Sequence, residues 1–335
     1  TDRKGGTRVF CQAPTGIGKT MSALFPALKA MGEGCGAKLF YLTARNTTQA
    51  AAEDAVARLR AAQPGLALRS VTLTAKEKAC LHPDAEGHPA CLPEVCPFAN
   101  GYYDRRKDAL AALLDGSGSF SRAALADTAR QFSVCPFELG LDLSEWCDVV
   151  IGDYNYLFDP VVHLKRFFDA AGDWLFLIDE AHNLPDRARA MYSAQFAKSS
   201  LTEAKRALGK GKSSLKNALT KINNLFIEWR HRCEEAEDRT FFERERADAF
   251  DRALQKLCEP LEIWLDEHRD PDETHEALLQ LFFDVRGWLR VADTFDEHFV
   301  LQVSAYGSEV RVSMLCLDPH EFLQADFTKG RAAVL

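Results

Sequence analysis

A segment near the start of the chain, Ala13–Thr20, combines small residues with a lysine and a threonine in the order APTGIGKT. Small residues allow successive backbone N–H groups to surround a phosphate, aided by the N-terminus of the helix that follows. Lys19 would reach the β- and γ-phosphates, and the Thr20 hydroxyl would ligate Mg²⁺. Alanine stands where the P-loop pattern has its first glycine. The segment predicts an ATP-binding loop formed by Thr15, Gly16, Ile17, Gly18, Lys19 and Thr20.

An acidic pair, Asp179 and Glu180, follows an apolar run that ends at Ile178. An aspartate at the carboxyl end of a parallel strand lies at the sheet edge where ligands bind. Asp179 would hold Mg²⁺ opposite Thr20, and Glu180 would orient and deprotonate the attacking water. Asp-Glu pairs alone are usually solvated surface. With the upstream loop, we interpret Lys19, Asp179 and Glu180 as the catalytic residues of a nucleotide-hydrolysing site.

Ten cysteines are unevenly spread along the chain. Four lie in a region rich in turn residues, namely Cys80, Cys91, Cys96 and Cys135. The other six fall in apolar or helical stretches and are predicted to be ordinary core thiols: Cys11, Cys35, Cys147, Cys233, Cys258 and Cys316. The four clustered thiols indicate metal chemistry rather than disulfides.

The spacing of these four cysteines leaves three alternatives open: an iron–sulfur cluster, a zinc site, and unligated thiols. Structural zinc sites tend to contain Cys-x₂-Cys pairs, and none occurs here. Cys96 and Cys135 each precede proline, a pairing also found beside iron–sulfur ligands. The pattern therefore favours a 4Fe–4S cluster without excluding zinc.

Strand and helix patterns alternate where the two phosphate-site motifs lie, which predicts α/β structure with a parallel sheet. Strands are predicted at Arg8–Gln12, Lys38–Thr43, Ala67–Leu73, Cys147–Gly152 and Trp174–Ile178, and helices at Lys19–Met31 and Thr47–Ala62. The cysteine-rich residues interrupt this rhythm, with helical stretches near Asp104–Leu114 and Arg122–Gln131 and little apolar core expected. A mostly helical region follows from Ser199 to Asp296. The alternating residues from Phe299 to Leu317 then indicate a hairpin.

These patterns predict three domains. A motor domain would comprise residues 1–75, 146–197 and 315–335, a cluster domain residues 76–145, and a helical domain residues 198–314.

The overall charge is −8, which argues against a protein coated in positive charge for nucleic acid but leaves a local basic channel possible. The basic segment from Lys198 to Lys221 is either a solvated helix face or a DNA-lining surface. No apolar run approaches the length of a membrane helix, and the charged start does not resemble a signal peptide. We therefore expect a monomer in the cytoplasm, associated with the nucleoid if the source is bacterial, and no membrane contact.

The chain resembles the XPD-like and DinG-like iron–sulfur DNA helicases of superfamily 2, DEAH type. The resemblance is carried by the P-loop, the four cysteines, the acidic box Asp179–His182, the segment Tyr41–Arg45, which is similar to motif Ia, and the run Asp153–Asp159. It implies a RecA-like motor domain with an inserted iron–sulfur domain and a helical insert called the Arch. It also implies an ATP-dependent helicase that moves 5′→3′ along single-stranded DNA towards a duplex junction in repair or replication.

The resemblance assigns further roles to individual residues. Cys80, Cys91, Cys96 and Cys135 would ligate the 4Fe–4S cluster. Thr43 and Arg45 would contact the sugar–phosphate backbone, and Lys76 would face DNA near the cluster. Tyr154 and Tyr156 are either base-stacking aromatics or buried structural tyrosines.

The sequence contains no recognisable second motor domain, so we expect a fragment whose Arg331–Leu335 strand runs into motif III of the family. The arginine finger of such sites contributes a factor of about 10³ or more to the rate. We therefore expect this piece alone to bind ATP and to bind DNA weakly, with little hydrolysis and no unwinding. The alternative hypothesis is a non-motor DNA-binding or scaffold module whose P-loop is vestigial. Protein partners cannot be named from the residues.

Overall fold

The computed structural model describes residues 7–14, 16–85, 87–89, 91–116, 118–209, 214–269 and 272–335. By their internal contacts the residues divide into two units. The first, the nucleotide unit, runs to Leu184 and includes Phe322–Leu335, and the second, the helical unit, is Pro185–Glu321. The predicted motor and cluster segments both fall mainly within the nucleotide unit, and the three-domain division stays a prediction.

The nucleotide unit contains a seven-stranded sheet in which every adjacent pair of strands is parallel. Its strands are β1 (Thr7–Val9), β2 (Lys38–Thr43), β3 (Ser70–Thr72), β4 (Ser119–Phe120), β5 (Val149–Asp153), β6 (Trp174–Ile178) and β11 (Ala332–Val334), in the order β1-β11-β6-β2-β5-β3-β4. Its helices are α1 (Lys19–Gly32), α2 (Asn46–Ala62), α3 (Lys76–Ala79), α4 (Tyr102–Leu114), α5 (Arg122–Phe132), α6 (Pro136–Ser144), α7 (Asn155–Phe158) and α8 (Lys165–Phe168). The predicted α/β class with a parallel sheet is confirmed.

The central strand β2 is buried at every position, KLFYLT, and lies between β5 and β6. A strand covered on both faces carries a continuous apolar run rather than an alternating one. Leu39 and Tyr41 pack against apolar residues of α1 and α2, among them Leu24 and Val56. This core fixes the carboxyl ends of β2 and β6 beside each other, where the acidic pair follows.

The cysteine-rich insert has an apolar core of its own, which the sequence analysis did not expect. Buried residues from α4, α5 and α6 include Ala109, Leu113, Leu125, Ala129, Leu139 and Leu143. The three helices contribute one apolar stripe each, and the stripes meet. Between Cys80 and Gly101, the described residues contribute only Cys96 to the buried apolar set. The expectation of little apolar core is therefore wrong for the helices.

The helical unit combines helices with a four-stranded antiparallel sheet. Its helices are α9 (Leu184–Met191), α10 (Lys198–Ala207), α11 (Ser214–Glu235), α12 (Asp248–Glu267) and α13 (Glu273–Ala292), and α14 (His320–Phe327) leads back to the nucleotide unit. Its strands are β7 (Ala194–Ala197), β8 (Thr240–Glu243), β9 (Phe299–Tyr306) and β10 (Glu309–Cys316), in the order β7-β10-β9-β8. The hairpin predicted between Phe299 and Leu317 is present as β9 and β10.

Among the described residues, no helix is both long enough and apolar enough to span a lipid bilayer.

Candidate functional site

The predicted phosphate loop leads directly into α1, whose first residue is Lys19. Gly16 and Gly18 adopt left-handed backbone conformations with φ of 85° and 83°, which residues with a Cβ rarely adopt. Nothing lies within 4 Å of a Cβ built on either glycine, so the requirement for glycine there is conformational rather than steric. Thr15 lies outside the described residues. Left-handed glycines are compatible with a loop whose successive N–H groups cradle an anion, and that role stays a prediction.

The loop lysine and the acidic pair meet, although they are far apart in sequence. Lys19 Nζ lies 3.3 Å from Glu180 Oε1, and each side chain is 34% exposed. Glu180 itself has a left-handed φ of 52°. Such strain in a non-glycine residue persists where surrounding contacts impose it, and here Asn183 donates to the Glu180 carbonyl from both its backbone and its side chain. The exposed His182 has Nδ1 3.5 Å from Glu180 Oε2.

Asp179 is held by two buried tyrosines that sequence reasoning did not assign to the site. Tyr41 donates a hydrogen bond of 2.8 Å to Asp179 Oδ2, and Tyr154 donates to the Asp179 backbone carbonyl. The Asp179 N–H donates to Leu42 O at 2.9 Å, which continues the pairing of β2 with β6. One carboxylate oxygen is therefore fixed by Tyr41, and the other accepts the Glu180 N–H at 3.0 Å.

The pKa of Tyr41 is raised above its ordinary value, chiefly by burial and also by the neighbouring Asp179, while a hydrogen bond with Thr20 acts in the opposite direction. The phenol therefore keeps its proton and remains a donor. The Thr20 interaction also shows that the first turn of α1 lies beside the acidic strand end. Lys19, Thr20, Asp179 and Glu180 thus occupy one place, and residues that could bind a nucleotide phosphate and Mg²⁺ face one another.

The four predicted cluster ligands line one cavity of about 200 Å³, together with Lys76 and Phe137. Cys96 is buried, Cys80 and Cys135 are partly buried, and Cys91 is exposed. Tetrahedral zinc with bonds of about 2.3 Å would bring its thiolates to about 3.8 Å from one another. Among the described residues, no three cysteine sulfurs lie within 4.8 Å of one another. The four thiols thus share one cavity, and the kind of ion or cluster that they would bind stays a prediction.

The six cysteines predicted to be core thiols divide into two groups. Cys147, Cys233 and Cys316 are buried and Cys258 is partly buried. Burial raises the pKa of the Cys147 thiol to about 12, which keeps it protonated. The prediction is wrong for Cys11 and Cys35, which are exposed, because both follow the ends of elements rather than lying within them.

The predicted DNA-contacting residues differ in accessibility. Arg45 is exposed. Thr43 is fully buried and its hydroxyl shares a hydrogen bond with that of Thr48, which argues against a direct contact between Thr43 and a DNA backbone. Lys76, partly buried, holds its ammonium 5.7 Å from the centre of the Phe137 ring. These three roles stay predictions.

Tyr154 and Tyr156 are buried, which agrees with the structural alternative rather than with base stacking. In the basic segment, Lys205 and Arg206 are exposed on α10, whereas Lys210 and Lys212 lie outside the described residues. Nothing in the described part distinguishes a solvated face from a DNA-lining surface.

Comparison with known proteins identifies the class to which this arrangement belongs. Residues 43–201 match the DEAD_2 family model. The chain is 26% identical over 142 residues to the Regulator of telomere elongation helicase 1 homolog of Culex quinquefasciatus, covering 40% of this chain and 14% of that protein. It is 22% identical over 182 residues to the General transcription and DNA repair factor IIH helicase subunit XPD/RAD3 of Saccharomyces cerevisiae, covering 47% and 22% respectively.

A solved structure described as "Truncated XPD" covers 98% of this chain, and the chain covers 88% of it, with a TM-score of 0.56 and 16% identity. At that identity the likeness concerns the fold, which is RecA-like in the XPD helicases. The fold and the candidate phosphate-binding residues agree with an α/β protein of the P-loop class. The match of residues 43–201 to the DEAD_2 family model confirms the resemblance to XPD-like helicases seen in the sequence.

Proposed function

We propose that this chain supplies the ATP-binding half of an ATP-dependent DNA helicase of the XPD type. The observation that supports the proposal most directly is the approach of Lys19 to Glu180, at 3.3 Å, beside an Asp179 carboxylate fixed by Tyr41. The Culex quinquefasciatus and Saccharomyces cerevisiae relatives are helicases by name, and the matches span 14% and 22% of their lengths. Helicase activity is therefore proposed for the protein that contains this chain.

The residues divide the chemistry among themselves. The P-loop N–H groups and Lys19 would bind the β- and γ-phosphates, and Thr20 and Asp179 would hold Mg²⁺. Mg²⁺, when bound, neutralises charge on the phosphate oxygens. Glu180 would leave the Lys19 ammonium once phosphates replace it as partner of the lysine, and would then accept a proton from the attacking water. The Lys19–Glu180 ion pair would thus keep the base occupied until ATP binds.

A 4Fe–4S cluster is proposed as the occupant of the cysteine cavity, with Cys80, Cys91, Cys96 and Cys135 as ligands. The support is that one cavity gathers all four thiols, together with the resemblance of the chain to the iron–sulfur helicases. The cluster would fasten the stretch between Cys80 and Gly101, which lacks an apolar core, much as structural metals stabilise small domains. From the family resemblance we propose that single-stranded DNA or a duplex junction contacts Arg45 and Lys76, that movement is 5′→3′, and that the protein acts in repair or replication. We also propose a monomeric state and a cytoplasmic or nucleoid location.

ATP binding by this chain tests the proposal. Titration of Mg·ATP is expected to give saturable binding, and Lys19→Ala is expected to weaken it at least about tenfold, because a charged contact contributes about 1.5–3 kcal/mol. Lys29→Ala is the matched control, since Lys29 is an exposed lysine in the last turn of the same helix. Equal binding by both variants would contradict the assignment of the P-loop.

DNA-stimulated hydrolysis separates a motor from a scaffold with a vestigial P-loop. In the protein carrying the second motor domain that the resemblance predicts, single-stranded DNA should accelerate ATP hydrolysis, and Glu180→Gln should abolish the acceleration while ATP still binds. DNA binding without any ATP hydrolysis by that protein would favour the scaffold.

A further inference from the structure

Two copies of an Asp-x-His sequence flank the hairpin of β9 and β10. Asp296-Glu297-His298 immediately precedes β9, and Asp318-Pro319-His320 follows β10. In each copy the aspartate accepts the backbone N–H of its own histidine, at 2.9 Å for His298 and 3.0 Å for His320. The two copies thus have the same local hydrogen bond on both sides of the hairpin.

The strand pairing brings the two copies together. Phe299 lies opposite Cys316 in the ladder, and the next backbone bond, from Leu317 N–H to His298 O at 2.8 Å, extends the pairing by one residue. The two sequences therefore meet at the open end of the hairpin. The imidazole centres of His298 and His320 are 5.3 Å apart, with an interplanar angle of 73°.

We propose that His298, Asp318 and His320 form a binding site for a divalent transition-metal ion. One ligand atom from each of the three residues lies within 4.8 Å of the other two. Nδ1 of His298 lies 3.3 Å from Asp296 Oδ2, and Nδ1 of His320 lies 3.0 Å from Asp318 Oδ2. Nε2 of each ring is therefore the nitrogen left for the ion, and the Asp318 carboxylate would bind the ion beside its own histidine. A carboxylate on the second ring nitrogen is the arrangement that orients histidines in metal sites. All of these residues belong to the helical unit, and the site is independent of the proposed ATP chemistry.

The donor set selects the kind of ion. Two imidazoles with one carboxylate suit Zn²⁺ and neighbouring transition metals, whereas Mg²⁺ and Ca²⁺ prefer oxygen ligands only. Tetrahedral zinc would place its ligand atoms about 3.3 Å apart, so the side chains must approach one another by roughly 1 Å. Asp318 and His320 are each 54% exposed and can move, whereas His298 is 25% exposed and better fixed. The exposure leaves the remaining coordination position to water, and Asp296 and Glu297 add negative charge beside the ion.

Zn²⁺ binding by the cluster-loaded chain tests the proposal. The titration is run against a chromophoric chelator at a pH well above the ordinary imidazole pKa of about 6.5, because the hydrogen bond to Asp296 raises the pKa of His298. The visible absorption of the cluster is recorded so that the cysteine sites are known to be filled. One Zn²⁺ per chain is expected beyond the iron. His298→Ala, His320→Ala and Asp318→Asn should each weaken binding at least about tenfold, which is the typical effect of losing a metal-site partner.

His231→Ala is the matched control, because His231 is an exposed histidine of the same unit that faces a single carboxylate, Glu234, at 3.5 Å. It should bind Zn²⁺ as the unaltered chain does. Unchanged affinity in the His298 and His320 variants would overturn the proposal, as would an equal loss in the His231 variant. A measurement without substitutions guards against misfolding: Cu²⁺ bound to the unaltered chain should show coupling to two imidazole nitrogens in its electron paramagnetic resonance spectrum, and coupling to none or one would reject the site.

Discussion

A single hydroxyl group, that of Tyr41, fixes one oxygen of the Asp179 carboxylate at 2.8 Å. Tyr41→Phe removes this bond while the ring still fills its buried place in β2. A hydrogen bond to a charged group contributes about 1.5–3 kcal/mol, and a partly compensated loss should weaken the Mg²⁺-dependent part of ATP binding about tenfold. Titration of ATP with Mg²⁺ and with a chelator present measures that part separately.

Tyr306→Phe is the control for this substitution, since Tyr306 is a 71% exposed tyrosine of the helical unit. An equal loss of ATP affinity with and without Mg²⁺ would show that Tyr41 supports the loop in general rather than the aspartate.

Removal of the Tyr156 hydroxyl is expected to stabilise the protein, in contrast to removal of the Tyr41 hydroxyl. Among the described residues it is a buried polar atom without a hydrogen-bond partner, and burial raises the pKa of this phenol. Leaving such a group unpaired costs about 1–3 kcal/mol, so Tyr156→Phe should stabilise the nucleotide unit by about 1 kcal/mol. For a unit of this size that corresponds to a rise of about 2–4 °C in Tm.

Thermal unfolding followed by circular dichroism measures the effect of Tyr156→Phe. Tyr154→Phe provides the comparison, because the Tyr154 hydroxyl donates to the Asp179 carbonyl and its loss should lower Tm. The interpretation fails if both substitutions shift Tm in the same direction.

At the scale of elements, the buried Lys38 joins the central strand to the cysteine insert. Its ammonium donates to the carbonyls of Ser144 at 2.8 Å, Glu145 at 3.3 Å and Cys147, at the end of α6. Burial lowers the pKa of Lys38, but three carbonyl acceptors compensate the charge. Lysines at the last turn of a helix commonly satisfy its free carbonyls. Helix α6 begins directly after Cys135, so Lys38 also anchors the element that carries a proposed cluster ligand.

Lys38→Met is expected to lower the stability of the nucleotide unit by about 2 kcal/mol, because it leaves buried carbonyls without donors. Iron should also be lost faster, since the far end of α6 is released. Thermal unfolding and the decay of cluster absorption measure the two effects. Lys165→Met, an exposed lysine in α8, should change neither, and normal iron retention in the Lys38 variant would show that α6 does not need this anchor.

Sequence patterns predicted most elements of the nucleotide unit because its strands are long apolar runs. The bounds of β2 and β6 agree with prediction, whereas β1 and β3 are shorter than predicted. Helix α6 was not predicted, because Gly140 and the apolar PFELGL run give no helical amphipathic pattern. Gly140 is buried there, with space for only a tight Cβ against Leu125.

The candidate site could be predicted where side chains form a local pattern, and not where the fold creates the contact. Lys19 and Thr20 belong to one motif, and Asp179 and Glu180 belong to another. Because both motifs follow strands of a predicted parallel sheet, we expected the two motifs to lie close together at one sheet edge. Tyr41 lies in a strand whose sequence, KLFYLT, indicates burial and nothing more. Its hydrogen bond to Asp179 depends on the register of β2 beside β6, which the sequence does not reveal. Likewise, the motif that contains Thr43 predicted a contact between this residue and DNA. The burial of Thr43 results from packing in the sheet and could not be read from the motif.

At the scale of the whole molecule, the chain presents a nucleotide site and a cysteine cavity that the same sheet connects, while its charge of −8 confines attraction for DNA to local surfaces. The strand β2 contributes Tyr41 to the acidic end and Lys38 to the insert at its other end. The two sites nevertheless rest on different cores, so the loss of one should leave the other folded.

Cys135→Ser tests that independence. We expect the variant to lose its iron and to expose the stretch between Cys80 and Gly101 to proteases, because that stretch has no apolar core of its own. Helices α4, α5 and α6 should persist, since buried residues such as Leu113, Leu125 and Leu139 hold them together. Iron analysis, limited proteolysis and Mg·ATP titration are carried out on the same preparation, with the exposed Cys35→Ser as the matched control.

Cys91→Ser should behave in the same way, because Cys91 lines the same cavity. Iron content of about four per chain in either variant would show that the ligands were assigned wrongly. Loss of ATP binding along with iron would show instead that the two cores unfold together. Retained ATP affinity with iron lost is the outcome that the packing predicts, because the Lys19, Asp179 and Tyr41 contacts are made entirely within the sheet and α1.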